Sequence, residues 1–105
     1  MSLWKSKLGN TYTQVEIEAA HEQNMAILTK LRNAPPNNRC AECGNSGVVW
    51  ASVNLGVFTC MRCGSVHRAL GTQISKPKGC TGSYLWGPDE IARMQQIGNA
   101  TAAEI

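Results

Sequence analysis

Apolar residues recur at helical spacing in the first third of the chain. Five of them share one face when the segment is drawn as a helix: Ile17, Ala20, Met25, Leu28 and Leu31. This spacing predicts an amphipathic helix whose apolar stripe packs on the rest of the protein. Thr13 and Glu16 have the spacing of a capping box, so we predict that the helix runs over residues 13–32. Residues 1–12 lack such a pattern and are expected to form a flexible tail.

Two short apolar runs follow this helix and suit β-strands. Residues 48–52 read Val-Val-Trp-Ala-Ser, and residues 56–59 read Gly-Val-Phe-Thr. Asn54, Leu55 and Gly56 suit the turn between them, because glycine adopts positive φ without steric cost. The middle of the chain is therefore predicted to contain two strands joined by a turn.

The last third of the chain alternates between helix and loop signals. Residues 66–70 suit a short helix that ends at Gly71, and the proline and two glycines of residues 74–83 indicate a loop. Pro88 suits the first position of a helix, and two acidic residues follow it in the first turn. These signals predict a C-terminal helix over residues 87–98.

Length, cysteine content and charge narrow the class of protein. The chain has 105 residues, which is enough for one small domain whose core is marginal without a metal or a disulfide. Its 5 cysteines are an odd number, which argues against a disulfide framework and for a reducing compartment such as the cytoplasm. The net charge of +3 favours anionic partners only weakly. No apolar run approaches the roughly 20 residues that cross a bilayer, and no signal peptide is recognisable.

Four of the cysteines form two C-x₂-C pairs with sixteen residues between the pairs: Cys40, Cys43, Cys60 and Cys63. A C-x₂-C turn aims both sulfurs at one ion, and Gly44 and Gly64 suit an exit from each turn with positive φ. Four thiolates complete a tetrahedral shell, so we predict one structural Zn²⁺ with no open position for hydrolytic chemistry. The alternative is two unrelated pairs of free or oxidised cysteines. His67 is expected to pack or cap, and Cys80 to be an ordinary small side chain in a loop.

The cysteine pattern continues to Arg68 and reads C-x₂-C-x₁₆-C-x₂-C-x₄-R in full. The flanking residues extend it, with Asn-Arg-Cys-Ala-Glu-Cys-Gly at 38–44, Trp-Ala-Ser at 50–52 and Asn-Leu-Gly-Val-Phe at 54–58. Ile-Ser-Lys at 74–76 and Gly-Asn at 98–99 follow downstream. In this combination the chain resembles the zinc-finger domain family of Arf GTPase-activating proteins, over about residues 38–99.

The resemblance implies a fold and an activity. The expected fold is a small α+β zinc-finger domain, with a short three-stranded sheet and the zinc knuckles surrounded by helices. It would occupy residues 13–105, with the zinc module at 38–75. The expected activity is stimulation of GTP hydrolysis by GTP-bound Arf-type small G proteins in vesicle trafficking. A cytoplasmic location with peripheral contact to Golgi or endosomal membranes belongs to the same expectation.

The resemblance also implies roles for single residues. Arg68 stands where the family has its arginine finger, and a planar guanidinium suits this role because it can meet two phosphate oxygens at once. From the residues alone, a solvated or structural arginine is the alternative. Five further residues are expected to contact the partner: Trp50, Met61, Ile74, Ser75 and Lys76. Trp50 also suits a position in the core beside the zinc.

The sequence departs from the family pattern at several positions. Gln73 replaces a usual histidine and Pro77 a usual valine, and residues 79–85 lack the Leu-Asp pair that the family usually has before Trp86. The chain also stops about 20 residues earlier than family domains do, so we expect it to lack the last helix. A non-catalytic zinc module that binds a protein or a nucleic acid is therefore the alternative function. Scattered basic residues and a sequence pI of 8.7 make nucleic acid the less expected partner.

Overall fold

The computed structural model describes residues 2–81 and 84–103. Its elements in chain order are β1 Leu3–Lys5, β2 Thr11–Thr13, α1 Gln14–Asn33, β3 Val48–Ser52, β4 Val57–Cys60, α2 Met61–Ala69, β5 Pro77–Gly79, α3 Pro88–Gln96 and α4 Gly98–Ala103. Within the described residues, no helix combines the length and apolar character needed to cross a membrane. The predicted helices and central strands are therefore present, together with elements that the sequence did not predict.

A three-stranded antiparallel sheet in the order β4-β3-β5 forms the middle of the domain. Ala51 in the central strand pairs with Phe58 on one side and Lys78 on the other. This sheet with its surrounding helices confirms the predicted α+β class. The expected loop over 74–83 was wrong in part, because β5 lies within it. Pro77 is tolerated there because it begins an edge strand, where its missing N–H removes no ladder bond from the sheet interior.

The core lies between the sheet and the helices α1 and α3. Its buried members are Leu28, Val48, Ala51, Val53, Phe58, Cys80, Trp86, Ile91 and Met94. Trp86 is fully buried, and its indole N–H donates to the Gly79 carbonyl at 3.0 Å. The Asn24 amide of α1 donates to the Trp86 carbonyl at 2.9 Å, so α1 is tied to the core by a buried hydrogen bond. Cys80 lies in the bend after β5, in agreement with its expected loop position, and its side chain is buried in this core.

Residues 3–13 form a hairpin where the sequence analysis expected a flexible tail. Strands β1 and β2 pair in antiparallel register, with Trp4 opposite Tyr12. The turn between them is fastened to the first turn of α3, since the Ser6 hydroxyl donates to Asp89 at 2.6 Å and the Asn10 amide donates to it at 2.7 Å. These partners are about 80 residues apart along the chain, so no local sequence pattern could reveal them.

The helix ends agree closely with the capping signals in the sequence. The Thr13 hydroxyl accepts from the Glu16 N–H at 3.1 Å, and the Thr13 N–H donates to the Glu16 carboxylate, which confirms the predicted capping box. At α3, Glu90 accepts from the Gly87 N–H at 2.7 Å. The predicted C-terminal helix ends at Gln96, and Gly98, with φ of +69°, then begins the short α4.

Glu90 also forms a buried ion pair with Lys78 of β5. The Lys78 ammonium lies 2.7 and 2.9 Å from the two carboxylate oxygens, and Glu90 is fully buried. The Trp4 and Trp86 rings flank the ammonium at 4.7 and 5.2 Å. The hairpin, the sheet and α3 therefore meet around one buried charge pair, which would be costly to leave half-formed.

Candidate functional site

The four paired cysteines converge on one point at the end of the sheet. The Sγ atoms of Cys40, Cys43, Cys60 and Cys63 all lie within 4.8 Å of one another. Two of them, Cys43 and Cys60, come from different pairs and are 3.7 Å apart. A tetrahedral shell with Zn–S bonds near 2.3 Å requires S–S edges of about 3.8 Å. The donor set and its spacing therefore fit a tetrahedral metal ion.

The first cysteine pair sits in a tight turn before β3. The Cys40 N–H donates to the Asn45 carbonyl at 2.9 Å, and the Gly44 N–H donates to the Cys40 carbonyl at 2.9 Å. Gly44 has φ of +76°, as predicted from its place after the pair. The Ala41 N–H donates to the Phe58 carbonyl, so this turn is attached directly to β4.

The second pair is not a loop but a junction between a strand and a helix. Cys60 ends β4 and is the N-cap of α2, and Cys63 lies in the first turn of this helix. The expected helix at 66–70 was too short, since α2 begins at Met61. The predicted positive φ at Gly64 was also wrong, because Gly64 is helical and buried. A Cβ atom there would lie 2.9 Å from Cγ of Trp50, so glycine is required by close packing.

Three of the clustered thiols have shifted pKa values, those of Cys40, Cys60 and Cys63. Burial raises the pKa of Cys40, but hydrogen bonds from the backbone of neighbouring residues outweigh this and lower it to about 6. The pKa of Cys60 is lowered chiefly by a backbone hydrogen bond from Cys63. Burial and hydrogen bonds among the sulfurs raise the pKa of Cys63 to about 12. A bound metal ion would displace the thiol protons, because the thiolate is the form that binds metal.

Arg68 and Trp50 meet one helical turn beyond the cysteines. Arg68 is exposed in the last turn of α2, and its guanidinium carbon lies 4.5 Å from the centre of the Trp50 ring. Tyr84 contacts the same indole edge-on, with centroids 5.8 Å apart. Trp50 is only half-buried, so it supports a surface arginine and does not belong to the apolar core.

The other predicted contact residues are placed differently from one another. Met61 and Ile74 are exposed, at 65% and 55%, and Lys76 is half-buried. Ser75 is fully buried, which leaves its hydroxyl unavailable to a partner in this structure. That hydroxyl lies 2.8 Å from Nδ1 of His67 and 2.6 Å from the Ser52 hydroxyl. Ser75 therefore holds the loop that carries Ile74 and Lys76.

His67 is a buried linker, in agreement with the expectation that it would pack. Its Nε2 atom lies 3.0 Å from a carboxylate oxygen of Glu42, which stands between the first two cysteines. Its Nδ1 atom faces Ser75, as described above. Both ring nitrogens are thereby engaged, and His67 connects the first cysteine turn to α2 and to the loop before β5.

An apolar groove lies along the face of α2 that carries Val66 and Leu70, and the sequence did not predict it. It has a volume of about 350 Å³ and is lined by Glu42, Leu55, Cys63, Val66, His67 and Leu70. Leu55, Val66 and Leu70 are 42%, 58% and 48% exposed. Val66 and Leu70 are one helical turn apart. This apolar spacing was the feature of the sequence that could have predicted the groove. We call this surface the α2 groove.

Comparisons with known proteins agree with this geometry. The sequence model of the ArfGap family, described as "Putative GTPase activating protein for Arf", matches residues 25–105. The chain is 43% identical over 89 residues to the Arabidopsis thaliana protein named "Probable ADP-ribosylation factor GTPase-activating protein AGD15". The matched residues cover 85% of this chain and 37% of that protein. It is 44% identical over 82 residues to stromal membrane-associated protein 1 of Mus musculus, and this match covers 78% of the chain and 18% of the mouse protein.

Solved structures show the same architecture. A crystal structure from Cryptosporidium parvum, described as a "putative GTPase activating protein for ADP ribosylation factor", superposes with a TM-score of 0.75 at 28% identity. The match covers 80% of this chain and 66% of that one. In contrast, the match to the two curated relatives above spans well under half the length of either protein. On its sequence match and its fold together, the chain belongs to the ArfGap family.

Proposed function

We propose that this chain stimulates GTP hydrolysis by an Arf-type small G protein, with Arg68 as the arginine finger on a scaffold built by one structural Zn²⁺. The observation that carries the proposal is the placement of Arg68. It is an exposed arginine near the end of a nine-residue helix, and two of the four clustered cysteines lie at the start of that helix, Cys60 as its N-cap and Cys63 in its first turn. The names of the curated relatives support the same activity.

The zinc ion would act on the fold and not on the reaction. Four sulfurs fill a tetrahedral shell and leave no position for water or substrate. Cys60 and Cys63 would join the start of α2 to the first cysteine turn, and the Glu42–His67 contact ties the same turn to the end of α2. The helix is thus held at both ends, and Arg68 has a rigid base.

The contact with Trp50 prepares the Arg68 side chain for its role. A guanidinium stacked on an indole face is held in one orientation, while the N–H groups along its edge can still donate. Charge develops on the γ-phosphate oxygens during phosphoryl transfer, and a two-pronged donor supplied by a second protein stabilises that charge. Fixing the side chain in advance lowers the entropy lost when the donor reaches the phosphate.

The surface of α2 and its neighbouring loops suits a protein partner. Met61 and Ile74 are exposed apolar side chains on α2 and on the loop before β5, and the α2 groove adds exposed apolar side chains on another face of α2 from Arg68. Clustered apolar residues at a surface are characteristic of protein contacts. The proposal includes a cytoplasmic location, since zinc thiolates persist in a reducing compartment. It also includes peripheral contact with Golgi or endosomal membranes.

The experiment is a single-turnover assay of GTP hydrolysis with a panel of purified Arf proteins, each preloaded with GTP. We expect the zinc-loaded chain to accelerate hydrolysis by at least one member of the panel. Binding of the GTP-bound proteins is measured in parallel. Binding without acceleration would contradict the activity and identify a binding module, and the absence of both would contradict the proposed partner.

A further inference from the structure

A basic cleft lies between the N-terminal hairpin and the loop that precedes β5. It has a volume of about 580 Å³, and its lining includes Lys5, Lys7, Gly9, Thr72 and Lys76. This volume is in the range that accommodates a small ligand. The hairpin side of the cleft lies outside residues 25–105, which are the residues that the family match covers. We call this site the hairpin cleft.

The hairpin side of the cleft has a fixed backbone. The Ser6 hydroxyl accepts from the Leu8 and Asn10 N–H groups at 3.3 and 3.1 Å and donates to Asp89. The Lys7 N–H donates to the buried Glu90 carboxylate at 2.8 Å. Lys5 and Lys7 therefore lie on either side of Ser6 in a hairpin whose turn is anchored to α3, so the backbone that carries them is held by contacts within the protein.

The opposite side of the cleft is anchored to the sheet. The Lys76 N–H donates to the Asn54 side chain at 2.8 Å, and the Lys76 carbonyl accepts from the Val53 N–H at 3.0 Å. The Asn54 amide also donates to the Ile74 carbonyl, which braces the loop that leads to Lys76. Two independently anchored segments thus present ammonium groups to one space.

The lysines of the cleft form no ion pair within residues 2–81 and 84–103. Among the described residues, Lys5, Lys7 and Lys76 have no carboxylate within 4.0 Å. The Glu90 carboxylate pairs with Lys78, and Asp89 accepts hydrogen bonds from the neutral side chains of Ser6, Asn10 and Tyr12. Three lysines that line one cleft without an ion-pair partner attract an anion that carries more than one charge.

We infer that the hairpin cleft binds a ligand with several phosphate groups, of the class of a phosphorylated inositol. The Lys5, Lys7 and Lys76 side chains would each donate to phosphate oxygens, and the Thr72 hydroxyl is placed to donate to the sugar or to a phosphate. Such a ligand exists both as a lipid headgroup and as a free molecule. The inference concerns binding alone and does not require that the chain stimulate GTP hydrolysis.

The first measurement separates the two sources of the ligand. Binding is measured with free inositol trisphosphate, with inorganic phosphate, and with phosphatidylcholine vesicles that carry either a phosphoinositide bisphosphate or phosphatidylserine at equal total charge. Physiological ionic strength limits diffuse attraction to about 8 Å. Tight binding of the free compound assigns a soluble ligand, and binding only to the phosphoinositide vesicles assigns a headgroup. Equal binding to both kinds of vesicle would overturn the inference, because it would show general charge attraction.

Matched variants test whether the cleft itself is responsible. The double variant K5Q/K7Q is compared with K30Q/R62Q, and the single variant K76Q is compared with K30Q. Each control removes the same number of positive charges from exposed positions on α1 and α2. Each cleft lysine is expected to contribute about threefold to tenfold in affinity, and the control variants almost nothing. Unchanged thermal melting and zinc content verify that the variants fold.

Two further results would contradict the inference. Equal losses in the cleft and control variants would show that net charge alone is responsible. Loss of binding to the partner G protein in the cleft variants, with no headgroup or inositol phosphate bound by the parent chain, would assign the cleft to a protein surface. Neither outcome depends on whether Arg68 acts in GTP hydrolysis, so failure here is distinguishable from failure of the proposed function.

Discussion

The guanidinium of Arg68 stacks on the ring of Trp50, with 4.5 Å between the guanidinium carbon and the ring centre. The two residues belong to different elements: Arg68 lies in α2 and Trp50 in β3, and the clustered cysteines join α2 to β4 and to the turn that precedes β3. Gly64, one helical turn before Arg68, lets the helix approach the same indole. The position of the arginine therefore depends on the metal site, on a glycine and on an aromatic ring.

The Arg68 side chain is expected to act in the chemical step. R68A and R68K should each reduce stimulated hydrolysis by about 10³-fold or more, because lysine keeps the charge but loses the planar fork. Single-turnover rates at saturating chain, together with binding to the GTP-bound partner, measure the two effects separately. R62A removes an exposed arginine from the same helix and should retain activity. A folded R68A protein with the rate of the parent would exclude the finger role.

The close contact between Gly64 and Trp50 predicts that replacing this helical glycine by alanine lowers the stability of the domain, which is the opposite of the usual effect. Alanine normally stabilises a helix relative to glycine by about 1 kcal/mol. G64A should nevertheless destabilise this domain by about 1–3 kcal/mol, since its Cβ would collide with the base of the Trp50 side chain. S65A, at the next and exposed position, should change stability by less than about 0.5 kcal/mol. Denaturant titration in zinc-containing buffer compares them, and a stabilised G64A would contradict the packing.

The cysteine cluster should bind one zinc ion that is needed for folding. C43S should lose the metal and unfold, because metal binding supplies about 10 kcal/mol or more in comparable small domains. C80A is the control: Cys80 is buried in the core and its pKa is raised to about 12 by burial, so it is a packing residue. That variant should keep one zinc while losing some stability. Elemental analysis and circular dichroism measure both properties, and a parent chain that folds without zinc would refute the prediction.

The buried pair of Lys78 and Glu90 should contribute strongly to stability. E90Q leaves the Lys78 ammonium buried without a counter-charge, which is expected to cost about 3 kcal/mol or more. E16Q is the matched control, since Glu16 also closes a capping box but lies at the surface, and glutamine can take its place. Its cost should stay below about 1 kcal/mol. Equal unfolding midpoints for the two variants would show that the pair is not stabilising.

The α2 groove is expected to contact the partner protein. L70D places a charge among exposed apolar side chains and should weaken binding of the GTP-bound partner by about tenfold or more. The rate at saturating chain should fall much less, because Leu70 does not touch the reacting atoms. V15D changes an exposed apolar residue on α1, outside the groove, and should bind normally. Equal binding by L70D and the parent would place the interface elsewhere.

Local patterns in the sequence were sufficient for several elements. The capping box at Thr13 and Glu16, the strand at 48–52 and Pro88 at the start of α3 each depend on neighbouring residues, and the structure confirms them. The metal cluster was also predictable, because two residues between cysteines define a turn that can aim two sulfurs together. Its agreement with the family pattern then led to Arg68.

Contacts between distant residues could not be predicted in this way. The N-terminal hairpin is ordered by Asp89, and β5 owes its strand conformation to pairing with β3. Lys78 has the composition of a surface residue and is buried only because Glu90 and two tryptophans surround it. Each case depends on a partner that the chain brings near only when it folds.

The sequence by itself determined the cysteine spacing, the helix caps and the identity of the exposed arginine. Only the tertiary structure decided that Ser75 is buried, that Gly64 serves packing against Trp50, and that lysines from two distant segments face one cleft. The physical reason is the separation along the chain of the atoms that form each feature. Caps and metal-binding turns are formed by atoms a few residues apart, whereas burial and charge clustering depend on all elements that surround a site.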